Sequence, residues 1–183
     1  MNLTCARDPF YNAAQATLRA VLPKSTIPAL TGLLITTTPE GVTVSGTDLE
    51  LGIEARFPAQ IREEGQVLLP ARYLVGILRS LPEGELTLAE NQGEERVLVT
   101  AGASRFELLT LPAADFPAVV PAEAAELARV PEPALRTLIQ QVSFAAARDG
   151  LRQLLTAVLF SLRGDTLRLV ATDGHRLAIA EGA

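Results

Sequence analysis

The sequence has very little of the residue types on which most catalytic and metal sites depend. It contains one cysteine, Cys5, one histidine, His175, and no tryptophan. A single cysteine excludes an internal disulfide, and one cysteine with one histidine excludes a Cys/His zinc cluster. The phosphate-binding, dinucleotide-binding and serine-hydrolase motifs rich in glycine are absent as well. Much enzymatic chemistry is therefore excluded, and we expect neither a cofactor nor a metal ion.

Long apolar runs are also missing. No run reaches the ~18 residues that a membrane-spanning helix needs, and the first ten residues lack the basic and apolar regions of a signal peptide. With 48% hydrophobic and 20% charged residues, the 183 residues can bury a core. We therefore expect a globular protein of the cytoplasm without a membrane partner.

The spacing of apolar residues predicts both helices and strands. Apolar positions at helical spacing predict helices over 10–22, 71–81 and 133–145. Residues 1–111 are thus predicted to hold two copies of a β-α-β-β-β unit, an α+β fold with helices on one face of antiparallel sheets. Alternating or β-branched runs predict strands near 33–38, 42–47, 51–57, 66–70, 85–90, 96–100, 104–110, 155–163, 166–172 and 175–181.

An internal repeat relates the beginning of the chain to its end. Residues 34–48 align without a gap with residues 159–173, which places a Thr-Asp pair at the end of each segment. The predicted helices 12–22 and 133–143 align at an offset four residues smaller, so we expect connectors of different length. A period this long indicates a duplicated domain rather than a short solenoid repeat.

The repeat predicts the domain organisation. Residues 1–118 are expected to form one domain of two β-α-β-β-β halves, and the proline-rich residues 119–127 a linker. Residues 128–183 would then be the first half of a second domain. We expect the chain to be part of a longer protein, because the second copy lacks its other half.

Charge is distributed unevenly over the predicted elements. The net charge is −5, yet the 38 residues of the segments 10–22, 71–82 and 133–145 contain no Asp or Glu. Of the 16 basic residues, 15 are arginine, and several lie on or directly after these helices. This pattern predicts a helical surface that faces a polyanion through phosphate contacts, without sequence selectivity.

Two aspartates and a short corner are the remaining candidates for function. Asp48 and Asp173 could serve a small-molecule enzyme as carboxylates, or they could accept backbone N–H bonds at strand corners. The corner Thr172–Leu177 combines glycine, a titratable ring, an arginine and an apolar residue, which suits a small groove that grips a peptide.

Four segments together resemble a known family. They are KSTIPAL at 24–30, SGTDLEL at 45–51, LPAADFP at 111–117 and ATDGHRLAIA at 171–180. In this order they resemble the bacterial DNA polymerase III beta subunits, the sliding clamps. The resemblance implies a DNA-clamp fold with three domains per chain and two chains in a head-to-tail ring. Helices would line the hole around double-stranded DNA, so that the replicative polymerase becomes processive; a drug-resistance paralogue of such a clamp would carry the same motifs.

The resemblance also implies three sets of site residues. One position departs from the family pattern: Gln153-Leu154 stands where some clamps carry an aromatic pair. We therefore do not expect residues 153 and 154 to stack on single-stranded DNA. The peptide cleft would bind polymerases, the clamp loader and repair proteins. DNA contacts are implied for Lys24, Arg72, Arg79, Arg136, Arg148 and Arg152. The cleft residues are Leu155, Thr172, Gly174, His175, Arg176 and Leu177. The homodimer contact would include Arg72, Tyr73, Ser104, Arg105 and Phe106.

Overall fold

The computed structural model describes residues 1–90, 95–119, 128–148 and 152–182. It divides into two compact units, which we call the first unit (Met1–Ala122) and the second unit (Glu123–Ala183). Except for Val119, the linker expected at 119–127 lies outside the described residues.

The first unit contains two helices and nine strands within the described residues. The helices are α1 (Arg7–Thr17) and α2 (Ala71–Ser80). The strands are β1 (Asn2–Ala6), β2 (Gly32–Thr38), β3 (Gly41–Thr47), β4 (Gly52–Phe57), β5 (Gln60–Glu63), β6 (Gly65–Pro70), β7 (Glu85–Glu90), β8 (Arg96–Ala101) and β9 (Ser104–Leu109). The second unit contains α3 (Glu132–Val142), β10 (Leu159–Arg163), β11 (Thr166–Thr172) and β12 (Leu177–Gly182).

All strand pairs in the three sheets are antiparallel. The first unit has a four-stranded sheet in the order β4-β3-β2-β6 and a five-stranded sheet in the order β5-β1-β7-β8-β9. The first strand of each half therefore joins the sheet of the other half: β6 pairs with β2, and β1 pairs with β7. This arrangement confirms the predicted β-α-β-β-β units.

One hydrophobic core holds both sheets and both helices of the first unit together. Helix α2 contributes Ala71, Leu74 and Leu78, which are fully buried and share one helix face. Helix α1 contributes Phe10, whose ring stacks on Phe57 of β4 at a centroid distance of 5.0 Å. Each helix is thus fixed by its apolar face, and the opposite face is left to solvent.

Several elements differ from the prediction, including the end of α3 at Val142 and the start of β12 at Leu177. Strand β5 was not predicted, and residues 153–156 form a short 3-10 turn rather than the start of a strand. Helix α1 begins at Arg7 and ends at Thr17, where the chain passes into a 3-10 turn at Leu18–Ala20. The backbone N–H of Leu22 then bonds the carbonyl of Leu30, so no helix continues there. The apolar residues Val21 and Leu22 had extended the helical pattern beyond the helix.

The repeat between the two units has no gap. Arg7 corresponds to Glu132 and Thr17 to Val142, an offset of 125 residues at both ends of the helix. The same offset relates the strand register, since Leu34 pairs with Ser45 and Leu159 with Val170. The smaller helix offset expected from the sequence is therefore wrong, because it rested on the misplaced start of α1.

The corner after β3 repeats as the corner after β11, including its unusual backbone. Gly174 has a φ of 90°, and the corresponding residue in the first unit is Leu49, with a φ of 80°. A side chain in this left-handed region costs roughly 1–2 kcal/mol, whereas glycine adopts it freely. Leu49 is also 62% exposed, so burial offsets little of that cost.

We therefore predict that Leu49→Gly stabilises the protein by ~0.5–1 kcal/mol, because the relieved strain exceeds the added flexibility of the unfolded chain. Thermal unfolding of the variant measures this change. Leu51→Gly is the matched control and should destabilise, because Leu51 has no positive φ. A lower melting temperature for Leu49→Gly would contradict the prediction.

Candidate functional site

Helix α2 carries two exposed arginines on a side of the helix away from its buried residues. Arg72 and Arg79 are seven residues apart and therefore lie on the same side of the helix, and both are exposed. Within the described part of the chain, neither forms an ion pair. Their charge is therefore available to an external anion.

Acidic residues are present in the other two helices, just before the acid-free segments 10–22 and 133–145. Asp8 lies in the first turn of α1 and Glu132 in the first turn of α3. Both helices begin before the apolar pattern does, at positions where an acid is stabilised by the helix dipole. Arg136 Nη2 lies 2.5 Å from Glu132 Oε1, so this predicted DNA contact already has an acidic partner.

The remaining predicted DNA contacts follow the helices of both units. Lys24 comes after α1, and Arg148 and Arg152 come after α3; all three side chains are exposed. Arg148 also lines an open pocket that contains His175 and Arg176. The structure thus brings one predicted DNA contact to the predicted peptide cleft.

The predicted peptide cleft is built on a tightly hydrogen-bonded corner between β11 and β12. Asp173 Oδ1 accepts the backbone N–H groups of His175 and Arg176, both at 2.9 Å. Thr172 Oγ1 donates to the carbonyl of Arg176 at 2.7 Å and accepts the N–H of Gly174 at 3.1 Å. These bonds fix the backbone, so the side chains after Gly174 project from a rigid turn.

Around this corner lies an open pocket of about 450 Å³. Asp173, His175 and Arg176 form one wall, and the chain after α3 forms the other. Leu155 is attached to that second wall, because its carbonyl accepts the N–H of Ala147 at 2.8 Å. The structure therefore gathers Thr172 to Arg176 and Leu155 at one place.

Leu177 begins β12 and lies beyond the residues that line this pocket. It is 62% exposed, whereas the next residue of the strand, Ala178, is buried.

An exposed apolar row crosses the three strands of the second unit. Leu159 pairs with Val170, and Val170 pairs with Ile179, so their side chains lie side by side on one face of the sheet. This row was not predicted, although the alternation of apolar residues along each strand indicates it.

Phe144 is a second residue that the sequence analysis missed. The guanidinium carbon of Arg176 lies 5.7 Å from the centre of the Phe144 ring. Phe144 had been counted as part of the predicted helix 133–145, but α3 ends at Val142 and a 3-10 turn follows. No sequence signal connects Phe144 with residue 176.

The predicted dimer contact lies at one end of the first unit. Helix α2, with Arg72 and Tyr73, packs against β9, which contains Ser104, Arg105 and Phe106. Strand β9 is an edge of the five-stranded sheet, and an unpaired edge can accept a further strand. Tyr73 beside it is 71% exposed.

Metal and nucleophile chemistry has little support in the described residues. Among them, no three His, Cys, Asp or Glu side chains could together hold a metal ion. Burial, and secondarily the charge of Glu85, raises the pKa of the Cys5 thiol to about 12, which keeps it protonated and inert. No helix in the described ranges is long and apolar enough to cross a membrane.

Comparison with protein-family models identifies both units. Residues 1–120 match the DNA polymerase III beta subunit, N-terminal domain, and residues 129–182 match the central domain of the same subunit. The chain belongs to the DNA polymerase III beta subunit family. This result confirms the resemblance on which the site residues were assigned.

Individual relatives agree with this membership. The chain is 37% identical to the beta sliding clamp of Micrococcus luteus over 181 residues, which covers 99% of the chain and 57% of the relative. It is also 37% identical to that of Escherichia coli K12, covering 98% of the chain and 49% of the relative. The chain thus spans about half the length of the curated relatives it matches.

Solved structures show the same fold. The beta subunit of Thermotoga maritima has a TM-score of 0.92 at 30% identity, covering 99% of this chain and 49% of that one. The sliding clamp of Pseudomonas aeruginosa bound to griselimycin has a TM-score of 0.91 at 36% identity, covering 100% of this chain and 49% of that one. The predicted DNA-clamp fold is therefore confirmed.

In this family member, the two aspartates are structural. The backbone N–H groups of Leu51 and Glu50 hold the pKa of the Asp48 carboxyl below its usual value. The N–H groups of His175 and Arg176 do the same for the pKa of Asp173. A general acid needs a raised pKa, so these carboxylates do not support the small-molecule enzyme considered above.

The lowered pKa of Asp173 predicts a pH-dependent contribution to stability. Ionised Asp173 adds to the free energy of unfolding. This contribution is fully present above the pKa of about 3.9 that an aspartate has in the unfolded chain, and it is lost as the pH falls through the lower pKa of Asp173 in the folded protein. We expect Asp173→Asn to lower the denaturant midpoint at pH 7, and the difference from wild type to shrink below about pH 4. Asp165→Asn, at the exposed turn between β10 and β11, is the control. Equal differences at pH 7 and pH 3 would contradict the prediction.

Proposed function

We propose that the full-length protein is a DNA sliding clamp without enzymatic activity. It encircles duplex DNA in the cytoplasm and tethers the replicative polymerase, which makes synthesis processive. The observation that carries this proposal is the division of α2 into a buried apolar face and an exposed face with Arg72 and Arg79. Family membership supports it.

The proposed DNA contacts are directed at phosphates. Arginine and lysine on helices can neutralise phosphates without reading bases, which suits a ring that must slide. Arg136 is the weakest of the set, because Glu132 shares its charge. The proposed contacts are Lys24, Arg72, Arg79, Arg136, Arg148 and Arg152.

We propose that residues 1–118 form the first domain, that 119–127 link it to the next, and that the second domain begins near residue 128. The family models and the two compact units support this division. Two subunits would join head to tail at the end where α2 meets β9. The contact residues proposed there are Arg72, Tyr73, Ser104, Arg105 and Phe106.

The corner between β11 and β12 is the proposed docking site for linear peptides of polymerases, the clamp loader and repair proteins. Its rigid backbone, the pocket of about 450 Å³ and the exposed Leu177 supply a fixed shape, donors and an apolar surface. The residues proposed for it are Leu155, Thr172, Gly174, His175, Arg176 and Leu177.

Arg79→Gln in the full-length protein tests the proposed DNA contact. Removal of a phosphate contact should weaken retention on circular DNA similarly for all DNA sequences. It should also reduce the steepness of log affinity against log salt concentration by about 1 for each phosphate contact that is lost. Retention over a series of salt concentrations measures both effects.

Arg62→Gln is the matched control, because Arg62 is an exposed arginine on strand β5 rather than on a helix. Its salt slope should equal that of the wild type. An unchanged slope for Arg79→Gln, or a loss that depends on DNA sequence, would count against phosphate contacts by α2.

A further inference from the structure

The side chain of Arg176 is held on two sides. Its Nε donates to Asp173 Oδ2 at 2.9 Å, and its guanidinium carbon lies 5.7 Å from the centre of the Phe144 ring. A cation over an aromatic ring is attracted by the electrons of the ring. The side chain of Arg176 is 53% exposed. These two contacts nevertheless restrict its conformations more than those of an arginine that extends into solvent without partners.

The ends of this guanidinium remain available. Within the described residues, neither terminal nitrogen of Arg176 has a hydrogen-bond partner. Arg176 lines the pocket of about 450 Å³ together with His175 and Arg148. The pocket also contains the Asp173 carboxylate, which bonds only Nε of Arg176, and Arg148 adds a second positive charge. The fixed guanidinium therefore suits a further carboxylate, which its two terminal nitrogens can bind as a fork.

The repeat shows that the corner itself does not need this stack. In the first unit, the residue corresponding to Phe144 is Arg19, and the residue corresponding to Arg176 is Leu51. The turn still forms there, with Asp48 Oδ1 accepting the N–H groups of Glu50 at 3.0 Å and Leu51 at 2.6 Å. The stack of Arg176 on Phe144 is thus an addition to the turn rather than a condition for it.

We propose that Phe144 is a positioning residue of the peptide groove. It holds the guanidinium of Arg176 so that the terminal nitrogens bind a carboxylate of the docked peptide. This inference rests on the proposed function of the corner as a peptide site, and it adds an acidic side chain to the features that a partner peptide presents.

The test uses the full-length protein and two synthetic fluorescent pentapeptides. One contains a glutamine, two leucines and an aspartate, and is amidated so that the aspartate is its only carboxylate; the other has asparagine in place of the aspartate. Phe144→Leu should weaken binding of the aspartate peptide about two- to fivefold, the range expected from an exposed cation–ring contact. Phe144→Tyr keeps a ring and should restore wild-type affinity, and the asparagine peptide should be affected little by either change.

A second background separates positioning from direct contact. With Arg176→Gln, the additional Phe144→Leu change should have no further effect, because the residue through which Phe144 acts is gone. If Phe144→Leu weakens binding equally in both backgrounds, or weakens both peptides equally, Phe144 is not acting through Arg176 and the inference is wrong.

Leu177→Lys distinguishes failure of the inference from failure of the groove, because it places a charge on the proposed apolar surface and should abolish binding of both peptides. If the wild-type protein binds neither peptide, or if Leu177→Lys binds as well as wild type, the groove assignment is wrong and the inference falls with it. If the groove results hold but Phe144→Leu binds the aspartate peptide unchanged, only the role of Phe144 is refuted.

Discussion

Burial of the two helices against two sheets in a single core is the constraint on which the first unit depends. Leu74 and Leu78 of α2 are fully buried, and this fixes the rotation of the helix about its axis. Arg72 and Arg79 must then lie on the side away from the core, whatever their role. The same packing places α2 beside the free edge of β9, so one helix serves both the proposed DNA surface and the proposed subunit contact.

The corner after the second strand of each repeat shows how one scaffold supports different surfaces. Asp48 and Asp173 accept backbone N–H groups in the same way, so the turn is set by the backbone and a carboxylate. The side chains that project from it differ, with Leu51 in one unit and Arg176 in the other. Because the turn forms in both cases, Arg176 is not required for the corner to fold.

The sequence predicted the order of the elements better than it predicted the ends of the helices. The alternation of apolar and polar residues was sufficient to predict most strands, because one face of each sheet is buried. The start of α1 was predicted at residue 10 because the first apolar residue of the helical pattern lies there. The helix begins at Arg7, and Asp8 in its first turn is stabilised by the helix dipole. Phe144 could not be assigned, because its contact with Arg176 joins residues 32 positions apart and depends on the end of α3.

We propose that the full-length protein stays on DNA because it forms a closed ring around the duplex, with phosphate contacts that let it slide. The most direct measurement is its dissociation half-life from a nicked circular plasmid and from the same plasmid made linear, at the same salt concentration. We expect long retention on the circle and rapid loss from the linear form, because a ring slides off the ends. Equal half-lives on the two forms would contradict it.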